Sequence, residues 1–390
     1  MGNSRLFLLL CSSLRVTLAA RQPLALAPSD PSSDEHVLAL RKLPASARVL
    51  VTGGAGFIGF HLARRLQSEG VQVTALDNMD PYYSVRLKRR RWGLLGEAGV
   101  ELVEGDLCNE SLLVGLHERR KFTHVANLAG QAGVRYSLAN PQAYVRTNVQ
   151  CFLTLLEVLR HAPGVKLAYA SSSSVYGTNT KVPFSETDRV DDPASLYAVS
   201  KKTDEQMAKT YHRLFNISVT GLRFFTVYGP WGRPDMAYFS MADKIRRGEP
   251  IELYGHGTPR RDFTYVDDIV DGISAALALG ADEELFNLGN HAVENVSHFK
   301  VSVLERHVGT AAIKQAVDMA KGDVPLTYAD VSHARTLLGY NPKTSIDEGL
   351  RHFAEWFNSS DYDPHFAEVS NASARSMLFV GDGQPVSEWS

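Results

Sequence analysis

A short apolar run, Arg48-Val49-Leu50-Val51-Thr52, leads straight into Gly53-Gly54-Ala55-Gly56-Phe57-Ile58-Gly59, and an amphipathic pattern through Leu62 and Leu66 follows. This order of strand, glycine turn and helix constrains the fold more than any other stretch. Gly53, Gly56 and Gly59 permit a tight turn, close backbone approach to a pyrophosphate and tight packing of helix on strand. The helix start, with Phe57 and Ile58, offers free N–H groups to an anion. The next apolar run, Gln72-Val73-Thr74-Ala75-Leu76, ends in Asp77, 18 residues after Gly59. At that spacing an acid meets the adenosine ribose hydroxyls of a dinucleotide. A carboxylate there repels a 2′-phosphate, so Asp77 favours NAD over NADP. The basic run from Arg86 to Arg91 reads as a solvated helix face rather than as a phosphate site.

Further apolar runs end in small or acidic residues: Val100 to Asp106, His124 to Gly130, and Lys166 to Ser171. Helical patterns separate them, for example Asn148 to Leu159. Strands alternating with helices predict an α/β fold with a doubly wound, Rossmann-type parallel sheet, its ligand at the carboxyl ends of the strands. Asp106, Leu107 and Ala129 fall on that rim and are expected to touch the cofactor. The NAD-binding core is expected mainly over 47–225 and a smaller C-terminal α/β substrate lobe mainly over 226–358.

The rim also receives Ser171-Ser172-Ser173-Ser174-Val175-Tyr176-Gly177, and Tyr197-Ala-Val-Ser-Lys201 opens the helix after it. A tyrosine four residues before a lysine shares its helix face, so the two heads can meet. A phenol ordinarily ionises near pH 10, and a fixed ammonium nearby favours the phenolate. The pair is common by chance. Beside a dinucleotide and a serine hydroxyl it becomes equipment for moving a proton on and off a sugar hydroxyl while hydride leaves the carbon.

Taken together, the Thr52–Gly59 turn, the serine run and Tyr197-Ala-Val-Ser-Lys201 resemble an extended short-chain dehydrogenase/reductase over roughly residues 48 to 357. Within that group, Tyr169-Ala-Ser-Ser-Ser-Ser-Val-Tyr-Gly177, the Arg223–Ala237 stretch and Gly322-Asp-Val-Pro-Leu-Thr-Tyr-Ala-Asp330 are similar to UDP-glucuronate 4-epimerases. The resemblance implies bound NAD+, Tyr197 as base on the C4 hydroxyl, Ser172 completing the relay with Ser173 and Ser174 as second candidates, and Lys201 on the nicotinamide ribose. It implies that Thr226 and Arg233 grip the sugar carboxylate, Arg233 bidentately. Arg261, and more weakly Arg135, match positions near the nucleotide diphosphate, although Arg261 with Asp262 would equally brace the fold. Dehydratases and decarboxylases of this kind carry an acid where Ser173 and Ser174 stand, which argues for simple epimerisation. Ala320-Lys321 and Lys300 depart from the pattern and touch the substrate lobe. A UDP-galactose 4-epimerase and a catalytically silent NAD-binding sensor are the competing readings. A homodimer is carried over by analogy.

Composition sets the outer limits. Hydrophobic residues at 44%, charged residues at 22% and a net charge of -2 describe an ordinary soluble enzyme and give no support to nucleic-acid binding. Cys11, Cys108 and Cys151 form no CxxC and no disulfide framework, so neither a metal site nor thiol catalysis is expected. Residues 1–46 read as a targeting leader and linker: Arg5, the apolar Leu6 to Cys11, Arg15, and no acid before Asp30. The leader points to the secretory pathway (ER/Golgi) first and to an organelle or the cytosol second. It falls short of the roughly 20 apolar residues that span a bilayer, so membrane contact requires a retained leader. The fold is expected to begin near Ala47. Residues 359–390 form a tail outside the resemblance, whose Asn371-Ala-Ser373 sequon matters only in the secretory lumen.

Overall fold

Val49 and Val51 turn one way from the first strand and Leu50 turns the other, and each side meets its own apolar cluster. A strand buried on both faces belongs in the middle of a parallel sheet covered by helices. The computed structural model, which describes residues 40–295, 298–319 and 324–369, has that architecture. In chain order the strands are β1 (Arg48–Thr52), β2 (Gln72–Asp77), β3 (Glu101–Glu104), β4 (His124–Asn127), β5 (Lys166–Ser172), β6 (Ser218–Phe224), β7 (Thr226–Tyr228), β8 (Pro250–Tyr254), β9 (Arg260–Tyr265), β10 (Glu283–Leu288), β11 (Val293–Asn295) and β12 (Ile313–Val317). The α-helices are α1 (Phe57–Ser68), α2 (Val85–Glu97), α3 (Glu110–Arg120), α4 (Tyr136–Ala139), α5 (Pro141–Tyr144), α6 (Cys151–Arg160), α7 (Leu196–Phe215), α8 (Ala237–Arg247), α9 (Val266–Leu279), α10 (His298–Val308), α11 (Ser332–Leu338) and α12 (Ile346–Phe357).

The main sheet runs β10-β6-β5-β4-β1-β2-β3, all parallel. Its order reverses between β1 and β4. That reversal opens the crevice in which a doubly wound sheet binds its ligand, and the glycine turn sits at its mouth. The smaller lobe is built from β7, β9 and β11, from the β8–β12 pair, and from α8, α10 and α12. Among the described residues no helix is long and apolar enough to cross a membrane.

Four expectations need correction. The sheet does not stop at 225: α9, apolar on nearly every side, packs on α1 and returns the chain to the sheet as β10, so the substrate lobe is interleaved with the core. The fold also starts before Ala47, because Leu43 is buried and the Arg41 side chain donates to the Leu337 carbonyl at 2.9 Å. At the other end, residues 359–369 are not a free tail. Tyr362 and Phe366 join the Trp231, Phe239, Trp356 and Phe357 aromatics, and Ser84 donates through its N–H to Glu368 O at 2.9 Å. Lastly, Cys108 and Cys151 are joined in a disulfide, their Cα atoms 4.2 Å apart. They lie 43 residues apart in sequence and meet because the segment after β3 reaches the start of α6, where Cys151 stands. The leader, the sequon and Ala320 to Asp323 lie outside the described residues.

Candidate active site

The glycine turn is shaped by contacts that leave no room for side chains. Gly53 has φ +69°, and a Cβ there would stand 2.7 Å from Ala129 N. At Gly56 and Gly59 a Cβ would meet the Gly53 carbonyl oxygen at 2.8 and 2.1 Å. The turn is held from beneath by Asp77, whose carboxylate accepts from Ala55 N–H at 3.0 Å and Met79 N–H at 2.8 Å. Two oxygens offer about four acceptor sites, so capacity remains for ribose hydroxyls. Asp106, on the rim of β3, accepts from Cys108 N–H and from Arg146, both within 2.8 Å.

These groups line one cleft of about 780 Å3 that runs along the sheet's carboxyl edge. Gly53, Gly56, Phe57, Ile58, Gly59, Asp77, Asp106, Leu107 and Ala129 form one half, and Ser172, Ser173, Ser174, Tyr197, Lys201, Thr226, Arg233 and Arg135 the other. The buried Gln131 amide nitrogen, also on the lining, has no hydrogen-bond partner among the described residues. A glycine cradle at a helix start, a ribose-level acid and an unspent amide donor fit a dinucleotide.

Tyr197 is placed by the cap of its helix: Ser195 Oγ accepts from Ala198 N–H at 3.1 Å, which puts the phenol in the first turn of α7. Its ring stands edge-on to Tyr144 at 6.0 Å. Lys201, one turn on, donates to Ala170 O at 2.8 Å and pairs with Asp204 at 3.2 Å. Ser172 Oγ caps the short 3-10 turn that follows β5, accepting from Ser174 N–H and donating to Ser174 Oγ, each at 3.1 Å. Ser171 points the other way, to Glu205.

Arg233 lies at the far wall. Its guanidinium is engaged bidentately by Asp235 at 3.0 and 2.5 Å, and Tyr82 donates to the same carboxylate at 3.0 Å. Burial alone disfavours the cation, and Asp235 more than offsets it. Arg135 lies over the Tyr254 ring at 4.2 Å, on the same lining. Arg261 is the exception among the expected site residues, since it is not on the cleft lining. Its neighbour Asp262 braces the fold, accepting from Asn290 N–H and Ala329 N–H, while β9 pairs Arg261 with Glu294 on β11.

Several site residues escaped the sequence reading. Residues Val145–Gln150 form a turn of π-helix instead of the start of a long α-helix, and from it Asn148 binds both Gln131 backbone groups and the Ser200 hydroxyl. The Arg86–Arg91 run is only partly a solvated face. Arg86, Arg89 and Arg90 do form outer ion pairs, but Lys88 and Arg91 are buried. Arg91 donates to Ala55 O, Tyr83 Oη, Trp231 O and Gly232 O at 2.9, 2.8, 2.5 and 2.9 Å. It therefore ties the glycine turn to the loop that carries Arg233. Position 91 falls four residues from Leu87 and from Leu95, on the buried stripe of α2, and that spacing was the available signal.

Comparisons with known proteins agree with this geometry. The model of the NAD dependent epimerase/dehydratase family matches residues 49–289. UDP-glucuronate 4-epimerase 2 of Arabidopsis thaliana is 48% identical over 327 residues, covering 79% of this chain and 75% of the plant enzyme. Protein CapI of Staphylococcus aureus is 43% identical, covering 80% of this chain and 98% of its own. Among solved structures, UDP-glucuronic acid 4-epimerase from Bacillus cereus, in complex with UDP-glucuronic acid and NAD, superposes with a TM-score of 0.74 at 34% identity, covering 79% of this chain and 98% of that one.

Proposed function

This chain belongs to the NAD-dependent epimerase/dehydratase family, and we infer that it is a UDP-glucuronate 4-epimerase, interconverting UDP-glucuronate and UDP-galacturonate. The observation that carries a uronate rather than a neutral sugar is Arg233, a cation in the same cleft as the phenol. The glycine turn, Asp77 and Lys201 would hold NAD+, which would supply a reversible hydride acceptor for the sugar's C4. Tyr197 as phenolate takes the C4 hydroxyl proton and later gives it back. Lys201 would favour that phenolate by its charge and hold the nicotinamide ribose, and the Ser172 hydroxyl would link the C4 oxygen to Tyr197. Between the two transfers the 4-keto sugar turns over, so hydrogen returns to the opposite face and net redox is zero.

A 4-keto uronate is a β-keto acid. If its C5–C6 bond aligns with the carbonyl π system, that bond breaks, its electron pair moves toward the C4 oxygen and CO2 leaves. Arg233 and Thr226 hold the carboxylate away from that alignment. The test is to offer the full chain UDP-glucuronate and UDP-glucose separately. UDP-galacturonate is expected from the first, with no net accumulation of reduced cofactor. Conversion of UDP-glucose alone would favour a neutral-sugar epimerase, and conversion of neither with NAD bound would leave a silent NAD-binding protein.

We further propose that the chain enters the secretory lumen and works there as a homodimer. The leader and the Cys108–Cys151 disulfide support the compartment, since such bonds persist where thiols are oxidised. The dimer is supported by apolar side chains left exposed at one region: Leu138 on α4, Val145, Leu153 on α6 and Val199 on α7. Native mass spectrometry of protein from a secreting host should show twice the mass of one chain, with an endoglycosidase-sensitive glycan at Asn371. An unglycosylated single chain would refute both parts.

A further inference from the structure

We infer that Asp204 is a positioning residue for the proton relay: from the buried side of α7 it holds the Lys201 ammonium and sets how strongly that cation favours the Tyr197 phenolate. The inference rests on the relay reading above. Asp204 lies three residues after Lys201 on the same helix face, with Nζ and Oδ2 at 3.2 Å and the two side chains 6% and 4% exposed. The ammonium is thus held between this carboxylate and the Ala170 carbonyl, against Gly130, where a Cβ would lie 3.4 Å from Nζ. The other carboxylate oxygen of Asp204 is buried and has no hydrogen-bond partner among the described residues.

Glu205 next door shows what a bracing acid looks like in this helix. Its carboxylate accepts from Arg223 Nε and Nη2, from Ser171 Oγ and from Lys202, and these partners hold its carboxyl below the usual range against the opposing effect of burial. Among the described residues Asp204 hydrogen-bonds only to Lys201, on its own helix. Burial lifts its carboxyl to about 7, with the Lys201 ammonium opposing the rise and Glu205 adding to it. Among the described residues, β5 presents the buried Tyr169 to this pair, β6 presents Arg223 already committed to Glu205, and the 145–150 turn presents the uncharged Asn148.

The consequence has a definite sign. With Asp204 protonated, the Lys201 charge acts in full on the phenol. With Asp204 ionised, that charge is partly cancelled and the phenolate is less favoured. Ionisation of Asp204 near neutrality therefore weakens the cation that serves the phenol and broadens the acid limb of the pH–rate profile.

Asp204→Asn keeps the size and an acceptor oxygen and removes the charge. The acid limb of kcat/KM on UDP-glucuronate is expected to move to lower pH by about 0.5 to 1 unit and to steepen. Phenolate ultraviolet absorbance, with the Tyr197 contribution identified as the part missing from Tyr197→Phe, should move the same way without any turnover. Asp204→Glu, which keeps the charge, should restore the wild-type limb. A limb and an absorbance titration that stay in place, or move to higher pH, overturn the inference. If the Asn variant does not fold, Asp204→Ser provides the same comparison. An enzyme inactive on UDP-glucuronate would sink the proposed function, and the absorbance titration would still decide this point.

Discussion

Tyr197→Phe is expected to lower kcat on UDP-glucuronate by about 10^3- to 10^4-fold while NAD stays bound, because it removes the group proposed to carry the C4 proton. The substitution is clean for structural reasons. The phenylalanine ring keeps the edge-on contact with Tyr144, and the Ser195 cap that starts α7 is untouched. Lys201 is held by Ala170 and Asp204, not by the phenol, so the cation stays where it is. Bound cofactor measured by release and absorbance should match the wild type. Turnover within tenfold of wild type would mean that another group, Ser172 first, moves the proton.

Much of this site was legible from residue spacing. The glycine turn and Asp77 were readable because each demands a local backbone or a fixed offset, and both appear in one cleft. Tyr197, Lys201 and the serines were readable because a helix face and a strand end determine where their heads go. What escaped depends on tertiary contact. The Cys108–Cys151 bond requires knowing that the end of β3 meets the start of α6, and the β10 return requires knowing which edge of the sheet is open. Arg91 escaped for another reason: a guanidinium can be buried when neutral oxygens accept from both its terminal nitrogens, so a run of cations on α2 hid a residue on the apolar stripe. Arg261 shows the converse, since its match to a family position did not bring it onto the cleft lining.

Arg233→Ala should have the second large effect, and its signature is a changed product rather than only a lower rate. Losing a charge-assisted, bidentate grip on a carboxylate costs about 3 kcal/mol, or roughly 10^2-fold in kcat/KM on UDP-glucuronate. CO2 release per sugar epimerised should rise, because the C5–C6 bond is no longer held out of line with the C4 carbonyl. The single variant carries a confounding charge. Asp235 is 6% exposed at its side chain and pairs with Arg233 on both oxygens, so removing the arginine strands a buried carboxylate that also repels the substrate's. Tyr82 would still donate to it, which softens the penalty without cancelling it. Arg233→Ala combined with Asp235→Asn removes both charges and isolates the grip. If the double variant regains stability yet still releases CO2 and shows a raised KM for UDP-glucuronate, the guanidinium is the carboxylate clamp. Recovery of normal turnover without CO2 would mean that Arg233 only neutralises Asp235, and that Thr226 and the serine turn restrain the uronate by themselves.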